Sequence, residues 1–256
     1  MKKSICCIAL ALVMALSTVG LFTSCAKEKE KTLVMATNAN FPPYEYKDGA
    51  AFAGIDVELA QAIADKLGMK LEIQDVEFGA IVAGVESGKY DIGMAGMTVT
   101  EDRKKQVSFS TTYATGVQVV IVKEGSAIQS PADITTSSKI GVQQDTTGDL
   151  YASDTPEKGG WGEAAVTRYK GGADAVQALQ TGKLDCVIID KEPAKSFVAA
   201  NSGLKILDTE YNNEDYAIAV GKNNTELLEK INKALDELKK DGTIDKIVSK
   251  YIPADK

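Results

Sequence analysis

The chain has 256 residues, 44% of them hydrophobic, with 29 Lys and Arg against 36 Asp and Glu and no histidine. Its net charge of −7 argues against nucleic acid as a partner, because that binding depends on neutralising phosphates with clustered cations. The absence of histidine removes the commonest general base and the commonest metal ligand, and the length suffices to bury one good core or two smaller ones.

Lys2 and Lys3 precede an almost uncharged apolar run from Ile5 to Leu21, which ends at Leu21-Phe-Thr-Ser-Cys25 and alternating Lys and Glu to Lys31. This is the anatomy of a secretory signal peptide over 1–24, too short and too weakly flanked for a membrane span. The residues before Cys25 resemble a bacterial lipobox, although Phe22 stands where Leu is usual. The resemblance implies a lipid anchor (diacylglyceryl and palmitate) on Cys25 and a tether over 25–31. Without residues 1–24 the chain carries 27 basic and 36 acidic residues, a net charge of −9 that favours solubility beside a cell envelope. Cys6 and Cys7 leave with the signal, and Cys186 lies in an apolar strand run as an inert core thiol, so no disulfide is expected.

Thr32 to Thr37 reads as a first strand. Pro42 and Pro43 then exclude both helix and central strand, which places Phe41 and Tyr44 on a rigid loop. Asp56 to Leu67 is an amphipathic helix with Leu59, Ile63 and Leu67 on one face, stopped by Gly68. A strand over 71–76 follows, then Phe78 leads into a helix ending at Gly88, and a strand over 92–95 comes next. A short helix carrying Arg103 can be capped by Thr98 or Thr100. Val117 to Val122 is a continuous apolar strand; Pro131 to Ile134 is a turn, and Ile140 to Val142 another strand. Asp145-Thr-Thr-Gly-Asp149 reads as an anion-facing turn at a helix start rather than as a metal loop. A helix over 173–181, a strand over 186–189, a return strand over 216–220 and a closing helix over 225–240 complete the order.

One phrase occurs twice. Val85-Glu-Ser-Gly-Lys-Tyr-Asp91 and Leu179-Gln-Thr-Gly-Lys-Leu-Asp185 each follow a helix and precede a buried strand, 94 positions apart. Two similar α/β lobes are therefore expected, with ligand beyond the carboxyl ends of the strands. Thr98 and Arg103 lie beyond the first strand and Asp190 beyond the second, a cation and an anion that suit a zwitterion. Gly84 to Lys89 does not make a phosphate loop, since its glycine spacing is short and Tyr90 replaces the magnesium-binding hydroxyl.

The segment Gly96-Met-Thr-Val-Thr-Glu-Asp-Arg-Lys-Lys-Gln-Val-Ser-Phe-Ser110 resembles the signature of the polar amino-acid solute-binding proteins of ABC importers (family 3). The Phe-Pro-Pro-Tyr-Glu loop, Gly54-Ile-Asp-Val-Glu-Leu, Phe78, Gly141-Val-Gln and Asp190 extend the likeness over nearly all of 32–252. The resemblance implies a type II periplasmic-binding-protein-like α/β fold. Lobe 1 comprises 32–116 and 217–256, lobe 2 comprises 117–216, and two hinge strands join them across a ligand cleft. By position, Arg103 would grip a ligand α-carboxylate, assisted by Thr98, the Gly96 backbone, Thr146 and Thr147. Asp190 would take the α-ammonium, Phe41 and Phe78 would wall the ligand, and Gln143 and Asn38 would touch its side chain.

The resulting expectation is a lipid-anchored extracytoplasmic binding protein, not an enzyme, that acts as a monomer and needs no cofactor or metal. It would hand a free L-amino acid to the permease subunits of an ABC transporter. Because Gln143 and Asn38 are neutral, a polar or neutral amino acid is favoured. Two rivals share the fold: a dehydratase-like enzyme, for which Glu45 or Glu77 could serve as acid or base, and a sensor signalling to a membrane receptor.

Overall fold

Alternating apolar runs and Gly-stopped helices fold into two open α/β sheets and a small hairpin sheet. The computed structural model describes residues 31–207 and 212–253; the signal segment, Cys25 and the tether up to residue 30 lie outside the described residues. Lys31 onward forms one compact unit. No helix among the described residues is long and apolar enough to cross a membrane.

The first sheet runs Lys70–Asp75, Thr32–Thr37, Ile92–Gly93, Ala219–Gly221 and Val107–Phe109. Its first three strands are parallel, and Ala219–Gly221 enters antiparallel from late in the chain. The second sheet runs Val166–Tyr169, Ile140–Gln143, Cys186–Asp190, Ala114–Lys123 and Leu204–Ile206, with Asn212–Tyr216 also on the long strand Ala114–Lys123. The chain passes between the sheets twice, after Phe109 and after Tyr216. The expected return strand is split there, Tyr216 pairing in one sheet and Ala219 in the other. Leu33, Met35, Leu59, Ile63 and Ile92 are fully or almost fully buried in the first core, and Val120, Ile140 and Ile188 in the second. Cys186 is buried as expected, its thiol pushed up to about 12 by burial first and then by Asp185.

The repeated phrase has a structural use. Each copy ends a helix, Gly79–Glu86 or Gly172–Gln180, and leads into a central strand. Its aspartate then pins a backbone amide of the neighbouring parallel segment. Asp91 Oδ2 accepts from Val34 N at 2.8 Å, and Asp185 Oδ2 accepts from Lys139 N at 2.7 Å. The repeat thus sets strand position in both sheets, and the ligand-facing residues come after it.

The double-proline loop is more ordered than the sequence suggests. Asn40–Phe41, Glu45–Asp48 and Ala51–Ala53 make a three-stranded antiparallel sheet, which carries Glu45 inward. Two bonds fasten this loop to the start of the helix Ile55–Leu67: Ile55 N donates to Pro43 O at 3.0 Å and Asp56 N to Tyr44 O at 2.9 Å. Gly54 sits between them at φ 122 and ψ 174, a region open essentially to glycine alone. A Cβ there would lie 2.2 Å from Tyr44 O. Gly54→Ala should therefore destabilise the protein by ~3 kcal/mol or more, read as a lowered midpoint in urea unfolding. A loss below ~1 kcal/mol would show that this junction is not constrained as described.

Candidate functional site

The two sheets face each other across a cleft lined by Asn38, Phe41, Glu45, Phe78, Ala95, Gly96, Thr98, Arg103, Gln143, Thr146, Thr147 and Asp190. Its walls approach closely enough to leave about 10 Å³, room for little more than one water, so the cleft is nearly shut around its polar lining. All ten residues that the sequence singled out for ligand contact converge here, together with Glu45 and Ala95. Glu77 does not line it and lies at the rim, where Lys170 pairs with it at 3.0 Å.

Arg103 belongs to the short helix Glu101–Gln106, whose N-cap is Thr100 and not Thr98; Thr100 Oγ1 accepts from Arg103 N at 3.2 Å. The guanidinium is buried, with its carbon 5.1 Å from the centre of the Phe78 ring. Its Nη1 donates to Thr98 O at 2.7 Å and its Nη2 donates across the cleft to Asp145 O at 3.1 Å. Asp145, at φ 64, holds that carbonyl outward. Burial depresses the guanidinium's pKa, while Glu214 and Asp190 oppose that shift. An arginine keeps its charge throughout.

Asp190 ends the strand Cys186–Asp190 and is buried on the opposite wall. It accepts from the Tyr216 hydroxyl and, at 2.8 Å, from Gln118 Nε2. Gln118 Nε2 also donates to Glu214 Oε2 at 3.2 Å, and Thr98 Oγ1 donates to that same oxygen at 2.8 Å. Burial first, and the Glu214 charge second, raise the Asp190 carboxyl to about 7 against the lowering effect of Tyr216 and Gln118.

Glu45 and Asp56 form a second buried acid pair. Asp56 Oδ2 accepts from Gly96 N at 2.8 Å and from the Tyr113 hydroxyl at 2.9 Å. Glu45 Oε2 and Asp56 Oδ1 are buried and unpartnered. Burial, then the Asp56 charge, hold the Glu45 carboxyl well above its usual range, and burial raises Asp56 to about 6. In the sequence Glu45 stands out only as a possible acid or base of an enzyme. Its position directly after Pro-Pro-Tyr was the available signal, and the turn that directs it inward needed the fold.

The remaining expected contacts are arranged less simply. Gln143 Nε2 donates to Asn38 Oδ1 at 2.8 Å across the cleft, and Asn38 Nδ2 donates to Val76 O at 2.7 Å. Thr146 caps the helix Thr147–Ser153, its Oγ1 donating to Gln143 O at 2.8 Å and accepting from Asp149 N at 3.4 Å. Asp149 is structural: it accepts from Asp145 N at 3.0 Å and pairs with Arg168 at 2.8 Å. Among the described residues, no group of acids and cysteines could hold a metal ion.

The model of the bacterial extracellular solute-binding proteins, family 3, matches residues 33–254. The chain belongs to this family. The arginine-binding extracellular protein ArtP of Bacillus subtilis is 33% identical over 252 residues, covering 97% of either chain. An ancestral arginine-binding protein, solved with glutamine and with arginine, is 42% identical with a TM-score of 0.80, covering 87% of this chain and 98% and 99% of the solved chains. An ancestral amino-acid-binding protein described as a precursor of cyclohexadienyl dehydratase is 33% identical with a TM-score of 0.78, over 86% of this chain and 95% of that one. The architecture is the two-lobed type II fold that the sequence suggested.

The raised Asp190 carboxyl has a consequence for stability. The unfolded group loses its proton near its usual value and the folded one near 7, so between these limits the folded state binds more protons. Stability therefore falls as pH rises through that window. Asp190→Asn should stabilise the ligand-free protein at pH 8 by roughly 2–4 kcal/mol relative to wild type and have little effect at pH 4, measured by urea unfolding. Gln118, whose Oε1 has no partner, can turn to accept from the new amide. A variant less stable than wild type at pH 8 would contradict this.

Proposed function

We propose that this protein captures a free L-α-amino acid between its lobes and delivers it to an ABC importer from the outer face of the membrane. The reading places the lobes at 32–116 with 217–256 and at 117–216, and the anchor at Cys25. The observation that carries it is a buried arginine and a buried aspartate on opposite walls of one small cleft, joined by no ion pair to each other. An α-carboxylate suits the planar fork of Arg103, with Thr98, Gly96, Thr146 and Thr147 around it. An α-ammonium suits Asp190, and Phe41 and Phe78 enclose the body of the ligand. Closure around it removes water and strengthens both pairs. The names of the relatives support binding as the role rather than catalysis.

The side-chain subsite favours a cation, against the neutral preference drawn from Gln143 and Asn38. Gln143 spends its Nε2 on Asn38 Oδ1, and its buried Oε1 is left as an acceptor without a partner. Glu45 lines the same cleft as an acid, so the acceptors available to the ligand suit a positive charge. Arginine is the first candidate ligand, which accords with the name of the Bacillus subtilis relative.

Truncating one partner of a desolvated charge pair costs about 2–5 kcal/mol. Arg103→Ala should thus weaken arginine binding at least ~30-fold by calorimetry, and a loss under ~5-fold would remove Arg103 from the carboxylate site. Glu45→Gln should weaken arginine by ~10-fold or more while changing glutamine by less than ~3-fold. Equal losses for the two ligands would remove Glu45 from side-chain recognition.

A further inference from the structure

We propose that Glu45 and Asp56 share one proton in the ligand-free cleft and give it up to solvent when a cationic side chain enters. Capture of a cationic amino acid is then a proton-exchange reaction at the side-chain subsite. This rests on the functional reading above and adds the means by which the subsite tells a cation from a neutral side chain of the same shape.

The geometry assigns the proton. Both carboxyl groups are almost wholly shielded, at 1% and 0% exposure. Two carboxylates together in such a place cannot both stay ionised without a compensating cation. The titratable groups that act on Glu45 are Asp56, Asp190, Tyr44 and Tyr113, all acids. The buried cation of the cleft, Arg103, directs its guanidinium to Thr98 O and Asp145 O and faces Glu214 and Asp190. Asp56 already accepts two hydrogen bonds on Oδ2, from Gly96 N and Tyr113, which favour its ionised form. Glu45 has no such donors, so the proton resides on Glu45 and points to Asp56, in line with the opposite effects that this contact has on the two groups.

A guanidinium or ammonium beside the Glu45 carboxyl supplies the missing cation. The Glu45 O–H bond then breaks, its electron pair stays on the carboxylate, and the proton leaves to buffer. The buried charge at the subsite is unchanged by the exchange, since one cation replaces another. A neutral side chain of equal size offers no such exchange and leaves the proton where it is. Arginine affinity therefore gains from rising pH while the pair is protonated, up to ten-fold per pH unit for one proton released.

Asp190 also takes part in proton balance, because the α-ammonium of any amino acid ionises it. The test must separate the two, and citrulline does so: it shares the head group and shape of arginine and carries a neutral urea. Arginine and citrulline are titrated into the purified protein at pH 7 in phosphate and in Tris. The dependence of the heat on buffer ionisation enthalpy gives the protons released by each ligand. Arginine should release at least about half a proton more than citrulline, and Glu45→Gln should bring the arginine count down to the citrulline value. Equal counts for arginine and citrulline on wild type overturn the proposal, as does an excess that survives Glu45→Gln. If citrulline binds too weakly to count, the wild type and Glu45→Gln arginine counts decide alone. Arginine that produces no heat and no thermal shift overturns the cationic reading itself, an outcome distinct from binding without proton release.

Discussion

Arg103, the one buried cation among the described residues, faces the buried carboxyl groups of Asp190 and Glu214, and the buried pair Glu45 and Asp56 has no buried cation of its own. In water this excess would be trivial, but at these depths each uncompensated charge is worth several kcal/mol. The site can relieve it by protonation, as the raised Glu45, Asp56 and Asp190 carboxyls show, or by admitting a cation from outside. An α-amino acid with a cationic side chain brings two positive charges and one negative one. In the proposed reading these would lie against Asp190, Glu45 and Arg103 respectively. On that reading the polarity of the site is a mould of the ligand's charges, and much of the selectivity would follow from that mould rather than from shape.

Tyr216 connects this mould to the place where the lobes join. It is the last residue of the strand Asn212–Tyr216, opposite Ala114, and the chain leaves the second sheet immediately after it. Its hydroxyl donates to Asp190 and its ring lies edge-on to Tyr44, 5.2 Å between centres. Tyr44 in turn precedes Glu45 on the hairpin that Gly54 fixes. Under the proposed closure, a rotation of one lobe about the two crossings would move Asp190 and Glu45 relative to each other, with Tyr216 between them. Tyr216 thus touches both acid sites of the cleft, Asp190 through its hydroxyl and the Glu45 hairpin through Tyr44.

The sequence revealed the periodic parts of this arrangement and missed the parts set by close approach. The helix Thr225–Lys240 and the strand Thr32–Thr37 were legible to the residue, because a strong apolar period leaves no alternative. The repeat around Asp91 and Asp185 announced two similar sheets, and the positions after it gave Arg103 and Asp190. The hairpin over 40–53 was not legible, since two prolines in succession obscure strand signals, and with it went the role of Glu45. Gln143 and Asn38 were read as ligand contacts from their positions, and both line the cleft; only the fold shows the hydrogen bond that joins them across it. The helix Thr243–Tyr251 was hidden behind Gly242, taken simply as a stop. Glu214, Gln118 and Tyr216 carry no local motif at all, and their roles exist only where the two sheets meet.

The two helices of the repeat also bear on closure. Neither Gly79–Glu86 nor Gly172–Gln180 has a side-chain cap from its own lobe. In each case a polar side chain of the opposite lobe stands at the open end. Asp145 comes so close to Gly79 that a Cβ there would lie 2.1 Å from its Oδ2, and the Asn40 amide, its Oδ1 otherwise unpartnered, lies against Gly171. Amide groups at a helix start attract an acceptor, and an anion most of all. Under the proposed closure each lobe would set a polar side chain beside the start of the other's repeat helix, and opening would expose both ends to water. The contacts are small individually, worth about 0.3–1 kcal/mol each for a partly exposed helix end. If opening exposes both helix ends at once, they would bias the lobes toward the register described, in which Arg103 reaches Asp145 O.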